Sequence, residues 1–245
     1  MRQVSDSNPL AGSSASRSVG AVIVAAGSSR RMGGVDKLFA AIDGRPLLAW
    51  TIEVFQDCQS VRQIVLVVSE QRLETALNLV EQEGWDKVKQ VCVGGERRQD
   101  SVAHGLSKLS GCNWVVIHDG ARPCLTGDLI ERGLTEAAHT GAAIAAVPVK
   151  DTIKVVSEGL VKATPDRQTL WSVQTPQIFR FDIIEKAYRH AGTEVTDDAS
   201  LVEKLGQEIR VYLGSYDNIK VTTREDLEWA TLLLRSRANH AGQDI

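Results

Sequence analysis

The run from Val22 to Lys37, VIVAAGSSRRMGGVDK, decides how the rest of the chain is read. From Ala21 to Ala26 the residues are apolar without polar alternation, the pattern of a parallel strand covered on both faces. Gly27, Ser28 and Ser29 then leave little side chain over the backbone amides, and bare amides at a strand end attract phosphate. Arg30, Arg31 and Lys37 follow closely and supply the cations that a polyphosphate requires. The segment predicts a nucleotide-triphosphate site, with Ala25, Ala26, Gly27, Ser28 and Ser29 as its backbone cradle. A strand-to-helix turn carrying solvated arginines is the plainer alternative for the same residues.

Two glycine signatures are excluded at this point. No G-x-G-x-x-G follows the strand, and the Gly27 segment lacks the G-K-[S/T] ending of a P-loop. Outward from this stretch, further strand-like runs lie at Ile64 to Val68, Val88 to Val93, Trp114 to His118 and Ala142 to Val149. Amphipathic stretches such as Leu73 to Val80 separate them. This alternation predicts an α/β fold with a doubly wound, mostly parallel sheet. Ligands in such sheets sit beyond the carboxyl ends of the strands.

Four of those ends carry chemistry-capable residues. After Val93 comes GGERRQDSV, in which Gly94 and Gly95 permit close backbone approach by a base or ribose, before a helix expected over Gln99 to Leu109. Asp100 or Ser101 serves equally well as a first-turn cap of that helix. After Ile117 comes HDGARP, where Asp119 is the candidate metal ligand. Magnesium takes hard oxygen donors, and one carboxylate plus substrate phosphates is a sufficient set. His118 reads as structural, because phosphoryl transfer depends on positioning and charge more than on a general base. Arg122 is either a substrate contact or a loop ion pair.

The chain has 245 residues, 43% of them hydrophobic, enough for one substantial core. A net charge of -3 argues against nucleic-acid binding. Cys58, Cys92, Cys112 and Cys124 form no C-x-x-C pair and suggest reduced thiols in a cytoplasmic setting. No apolar run approaches the roughly 20 residues of a membrane-spanning helix. Residues 1–18 are rich in serine and read as a disordered leader. Arg2 and Arg17 against Asp6 give only slight support for an organellar transit peptide. Residues 19–237 read as one catalytic domain and 238–245 as a flexible tail. Between Lys150 and Gln174 the alternation breaks, and Ser157, Glu158 and Gly159 flanked by β-branched residues predict a protruding hairpin arm over about 150–174.

The AAGSSRRM stretch followed by Lys37 resembles the A-A-G-x-G-x-R-M…K signature of the sugar-nucleotidyltransferase superfamily, with Ser29 and Asp36 in place of the usual glycine and proline. Gly94, Gly95, Arg98, Ser101 and Val102 fit the G-G-x-x-R-x-x-S-V segment of its cytidylyltransferase branch, and His118 to Pro123 fits H-D-x-A-R-P with Gly120 at the variable position. VPVKDTIK (147–154), LWSVQTPQIF (170–179), TDDAS (196–200) and DNIKVTTREDL (217–227) complete a set that is similar to the 2-C-methyl-D-erythritol 4-phosphate cytidylyltransferases over roughly residues 19 to 235.

That resemblance implies a Rossmann-like nucleotidyltransferase fold and transfer of CMP from CTP to methylerythritol phosphate, with loss of pyrophosphate, in isoprenoid precursor synthesis. It implies Mg²⁺ as cofactor, held by Asp119 with Asp217 as a second candidate. Arg31, Lys37, Arg167 and Lys220 are the implied catalytic cations. Gly94, Gly95, Arg98, Ser101, Asp119 and Gly120 join the cradle in nucleotide binding, while Arg122, Thr152, Thr175, Thr196, Arg167 and Lys220 take the polyol phosphate. It also implies a homodimer clasped through the arm, with Arg167 reaching the neighbouring subunit's site. The bland readings are strand positions for Thr152 and Thr175, an N-cap for Thr196, an edge lysine for Lys220 and a solvated arm arginine for Arg167. A ribitol-5-phosphate cytidylyltransferase, a transferase using GTP or UTP, and a nucleotide sensor without catalysis are the alternatives.

Overall fold

In the computed structural model, residues 18–27, 37–192 and 194–241 are described. The elements in chain order are β1 (Val19–Ala25), β2 (Ala41–Ile42), β3 (Arg45–Pro46), α1 (Leu47–Asp57), β4 (Val61–Val68), α2 (Leu73–Glu83), β5 (Val88–Val93), α3 (Arg98–Leu106) and β6 (Trp114–Asp119). They continue with α4 (Gly127–Thr140), β7 (Ala142–Pro148), β8 (Val155–Ser157), β9 (Leu160–Ala163), β10 (Trp171–Arg180), α5 (Phe181–Arg189), α6 (Ala199–Glu203), β11 (Arg210–Leu213) and α7 (Arg224–Ala241).

Seven strands form one sheet in the order β11-β7-β10-β6-β1-β4-β5. All neighbours pair in parallel except β10, which runs antiparallel to both β6 and β7. The expected doubly wound, mostly parallel sheet is therefore present, with one reversed strand inside it. Side chains of β1 alternate between two cores. Ala21, Ile23 and Ala25 pack with α1, α4 and α7 residues such as Phe55, Leu129 and Leu234. Val22 packs on the other face with Val102 of α3, Ile184 of α5 and Val202 of α6. Because the side-chain period of a strand is two, a strand sandwiched between helical layers must be apolar at every position, which is why the Ala21 to Ala26 run shows no alternation.

The winding reverses beside β1. From β1 the chain crosses outward to β4 and β5, then returns across the sheet to β6 on β1's other side. Val24 of β1 lies in register with Asp119 of β6, so the glycine loop and the carboxylate leave the sheet side by side. This is the switch point at which doubly wound sheets bind ligands. Away from it, β8 and β9 pair as a two-stranded hairpin, turning at Glu158 and Gly159 with φ of 53° and 75°. Val155, Val156, Leu160 and Val161 on this arm are 48%, 56%, 61% and 61% exposed.

Candidate active site

Two adjoining cavities open at the carboxyl ends of β1 and β6. The larger, about 640 Å³, is lined by Ala25, Ala26, Gly27, Lys37, Gly95, Arg98 and Ser101, with Asp119 and Lys220 at its inner wall. The smaller, about 400 Å³, is lined by Arg98, Asp119, Arg122, Thr175, Thr196 and Lys220, together with Gln174, Gln177 and Asp197. Both volumes are in the range of ligand pockets. Arg98, Asp119 and Lys220 belong to both linings and form the seam between them.

Each seam residue arrives on a different element. Arg98 opens α3, whose first turn is fixed by a capping box. Asp100 accepts the Arg97 backbone N–H at 3.2 Å and also pairs with the Arg97 guanidinium. The close approach of α3 to β1 depends on Gly94, since a Cβ there would lie 2.5 Å from both the Ala26 Cβ and the Ser101 Oγ. Ser101 accepts the Gly95 amide at 3.1 Å, which sets the loop that borders the larger cavity. Asp119 ends β6, and its backbone N–H donates to Thr175 Oγ1 on β10 at 3.1 Å. Lys220 comes from the loop after β11. That loop is tied down where the Val221 N–H donates to the Ala121 carbonyl at 2.8 Å and Arg122 Nη1 donates to the Asn218 carbonyl at 2.7 Å.

The Asp119 carboxylate is caged by cations. Arg98 Nε lies 3.0 Å from Oδ1, Lys220 Nζ 2.7 Å from Oδ2, and Arg122 Nε 3.9 Å from Oδ2. Burial works against its charge, but Arg98 and then Lys220 outweigh burial and hold the carboxyl well below the usual carboxylate range. Burial likewise opposes the Arg98 cation, and Asp198 and Asp119 outweigh it. His118 is wholly buried beside Phe55, and its pKa is pulled down to about 3, by burial first. It is a neutral ring whose Nε2–H donates to the Arg122 carbonyl at 3.3 Å, a structural tie and no base.

Not every residue picked from sequence reaches the cavities. Gly94 and Gly120 pack behind the walls, where Gly120 donates its N–H to the Val24 carbonyl at 2.8 Å. Asp217, Thr152 and Arg167 are exposed and line neither cavity. Arg167 donates from Nη1 to the Lys150 carbonyl at 2.8 Å, at the base of the arm. Ser28, Ser29, Arg30 and Arg31 lie outside the described residues, as does most of the leader. Sequence reading passed over Gln174 and Asn218, whose side chains bond each other at 3.2 Å beneath Thr175. No local pattern marks them, because the two meet across 44 positions of chain. The four cysteines are free, with Cys58 and Cys124 buried.

Two cavities at the switch point of a doubly wound sheet, with cations gathered on one carboxylate between them, fit an enzyme of the nucleotidyltransferase class. The family model described as IspD, 2-C-methyl-D-erythritol 4-phosphate cytidylyltransferase, matches residues 19–236. A protein of that name from Dehalococcoides mccartyi is 56% identical over 218 residues, covering 89% of this chain and 96% of its own length. The crystal structure of 4-diphosphocytidyl-2C-methyl-D-erythritol synthase from Anaerococcus prevotii aligns with a TM-score of 0.79 at 29% identity, over 89% of this chain and 96% of that one. The 2-C-methyl-D-erythritol 4-phosphate cytidylyltransferase of Thermus thermophilus aligns with a TM-score of 0.73 at 32% identity, over 89% and 99%. The chain belongs to the 2-C-methyl-D-erythritol 4-phosphate cytidylyltransferase family.

Proposed function

We propose that the chain transfers CMP from CTP to 2-C-methyl-D-erythritol 4-phosphate, giving 4-diphosphocytidyl-2-C-methyl-D-erythritol and pyrophosphate. The observation that carries this reading is the seam. Two pockets, one bordered by the phosphate cradle, meet at Arg98, Asp119 and Lys220, where two anionic substrates need a shared set of cations.

CTP takes the larger pocket, its phosphates over the amides of Ala25 to Gly27 and beside Lys37, with Gly95 and Ser101 toward the nucleoside. The polyol phosphate takes the smaller one, among Arg122, Thr175, Thr196 and Lys220. An oxygen of the 4-phosphate forms a bond to the α-phosphorus of CTP while the α–β bridging bond breaks and pyrophosphate leaves with its electron pair. The phosphate monoester is already a nucleophile near neutral pH, so no general base is required. Lys37 and Arg31 stabilise charge on the α-phosphate in the transition state, and Lys220 and Arg98 screen the two anions from each other.

Asp119 supplies the carboxylate oxygen that a hard divalent cation takes, and Mg²⁺, drawing its other ligands from phosphates and water, would bind there in exchange for one of the ion pairs that Arg98 and Lys220 make with it. Among the described residues no group of three or more His, Cys, Asp or Glu is placed to hold a metal. Mg²⁺ bound there would offset triphosphate charge, and Asp119, already ionised, needs no proton loss to receive it. Asp217 is exposed and outside both linings, which favours Asp119 over it.

The apolar residues exposed on the arm support a homodimer in which they are covered, and Arg167 then acts in the partner's site. Among the described residues no helix is long and apolar enough to cross a membrane. A cytoplasmic location, one domain over 19–237 and a leader before it complete the proposal. The test is pyrophosphate release with CTP, Mg²⁺ and methylerythritol phosphate. Release that requires the polyol phosphate and matches product one for one supports transfer. Release without it, or binding of CTP with no release, overturns transfer in favour of hydrolysis or sensing.

A further inference from the structure

Asp198 is only 1% exposed, yet it carries a carboxylate. Burying such a group is costly unless both oxygens are satisfied. Here both are. Oδ2 accepts from Arg98 Nη2 at 2.9 Å, and Oδ1 accepts from the Tyr188 hydroxyl at 2.5 Å. Asp198 stands at the N-cap of α6 without capping it by its side chain, so its carboxylate is committed to Arg98 and Tyr188. The Tyr188 hydroxyl is pushed far above its ordinary range by burial and then by Asp198, so it remains a donor.

The bonds run in series: Tyr188 of α5 to Asp198, Asp198 to Arg98 of α3, Arg98 to Asp119 of β6, and Asp119 to Lys220. An arginine between two carboxylates is oriented by both, since its planar fork admits few arrangements. Without Asp198 the guanidinium would pivot about the single bond from Nε to Asp119.

We propose that Asp198 and Tyr188 are positioning residues for the transfer, holding Arg98 flat along the seam so that it faces both anions at once. The inference rests on the transfer reading above. Arg98 serves the meeting of the two substrates more than either alone, so disturbing it lowers turnover with little change in CTP affinity.

The test combines Asp198→Asn, Tyr188→Phe and the double variant. Asp198→Asn is expected to lower kcat roughly tenfold or more with less than about a threefold change in the KM for CTP. Tyr188→Phe, which removes one hydroxyl and keeps the ring packing, is expected to lower kcat about threefold at a temperature where the variant stays folded, with a modest fall in melting temperature because Oδ1 of the buried Asp198 loses its donor. Because Tyr188 acts through Asp198, the double variant should match Asp198→Asn alone, the mark of coupled residues. Wild-type kcat in both single variants, losses that add, or a rise in KM alone would overturn the proposal. If Asp198→Asn fails to fold, wild-type turnover in Tyr188→Phe overturns it by itself.

A second readout separates this inference from the transfer reading. The Arg98 Nε–H resonance, assigned with Arg98→Lys, should be sharp in the wild type and broadened in Tyr188→Phe and Asp198→Asn. A silent wild-type enzyme would sink the transfer reading. An Arg98 signal indifferent to Asp198 would sink the positioning, whatever the enzyme's activity.

Discussion

Lys37 and Asp119 carry opposite charges on one cavity, and the roles assigned to them differ in what their loss should do. Lys37→Ala should raise the barrier by about 2.7 to 4 kcal/mol, as for other preorganised charge-stabilising donors, and leave the KM for CTP comparatively unchanged. Steady-state kinetics check it, and unchanged turnover would remove Lys37 from the mechanism. His118 makes a separate prediction about stability. Its folded pKa lies near 3, below the unfolded value of about 6.5, so on acidification the unfolded state takes the proton first. Stability from this ring is complete above about pH 6.5 and declines toward pH 3, at about 1.4 kcal/mol per pH unit in the steep part. Asp119 is shifted down as well, so its contribution is likewise present at higher pH, and it is lost only as pH falls through the ordinary carboxylate range near pH 4 and below. Urea unfolding between pH 7.5 and 5.5 separates the two as test conditions on the order of His titration. The wild type should lose more stability over that interval than His118→Gln, and equal losses would contradict the burial argument.

The elements were legible in proportion to their burial. β1, β6, β7 and the second half of β4 coincide with apolar runs, because strands covered on both faces have no polar side to show, whereas β5, at the sheet edge, was legible from its β-branched residues although Lys89 and Gln90 are exposed. α2 followed from the apolar spacing of Leu73 to Val80. β10 was harder to see, because Gln174, Thr175 and Gln177 interrupt its apolar run and are buried only through partners far along the chain. β11 is a four-residue edge strand with exposed Val211 and Leu213, and nothing local separates it from loop. Strand ends pointed to Gly27, Gly95 and Asp119, whereas Asp198 and Tyr188 acquire their meaning from Arg98, which lies 100 positions from Asp198. The arm belongs to this scale. Leu160→Asp with Val161→Asp should convert a dimer to a monomer in sedimentation equilibrium, because it charges residues that are apolar and more than half exposed. Turnover should fall with it if Arg167 acts across the interface. Monomers that retain full turnover would confine Arg167 to the arm.

Across the whole molecule, the doubly wound order brings β1 and β6 together at the point where the winding reverses, and α3, α6 and the loop after β11 close around them. The seam is therefore a product of topology. Arg98, Asp119 and Lys220 come from three separate parts of the chain and meet only in the folded sheet. On the proposed reading, one polyol phosphate is distinguished from another by the shape of the smaller pocket, which Arg122, Thr175 and Thr196 line. The most direct measurement is pyrophosphate release with CTP and Mg²⁺, run in parallel on 2-C-methyl-D-erythritol 4-phosphate and ribitol 5-phosphate. A strong preference in kcat/KM for the methylerythritol substrate is the predicted result. Equal use of both, or a preference for ribitol phosphate, would contradict the substrate assignment while leaving the fold and the seam intact.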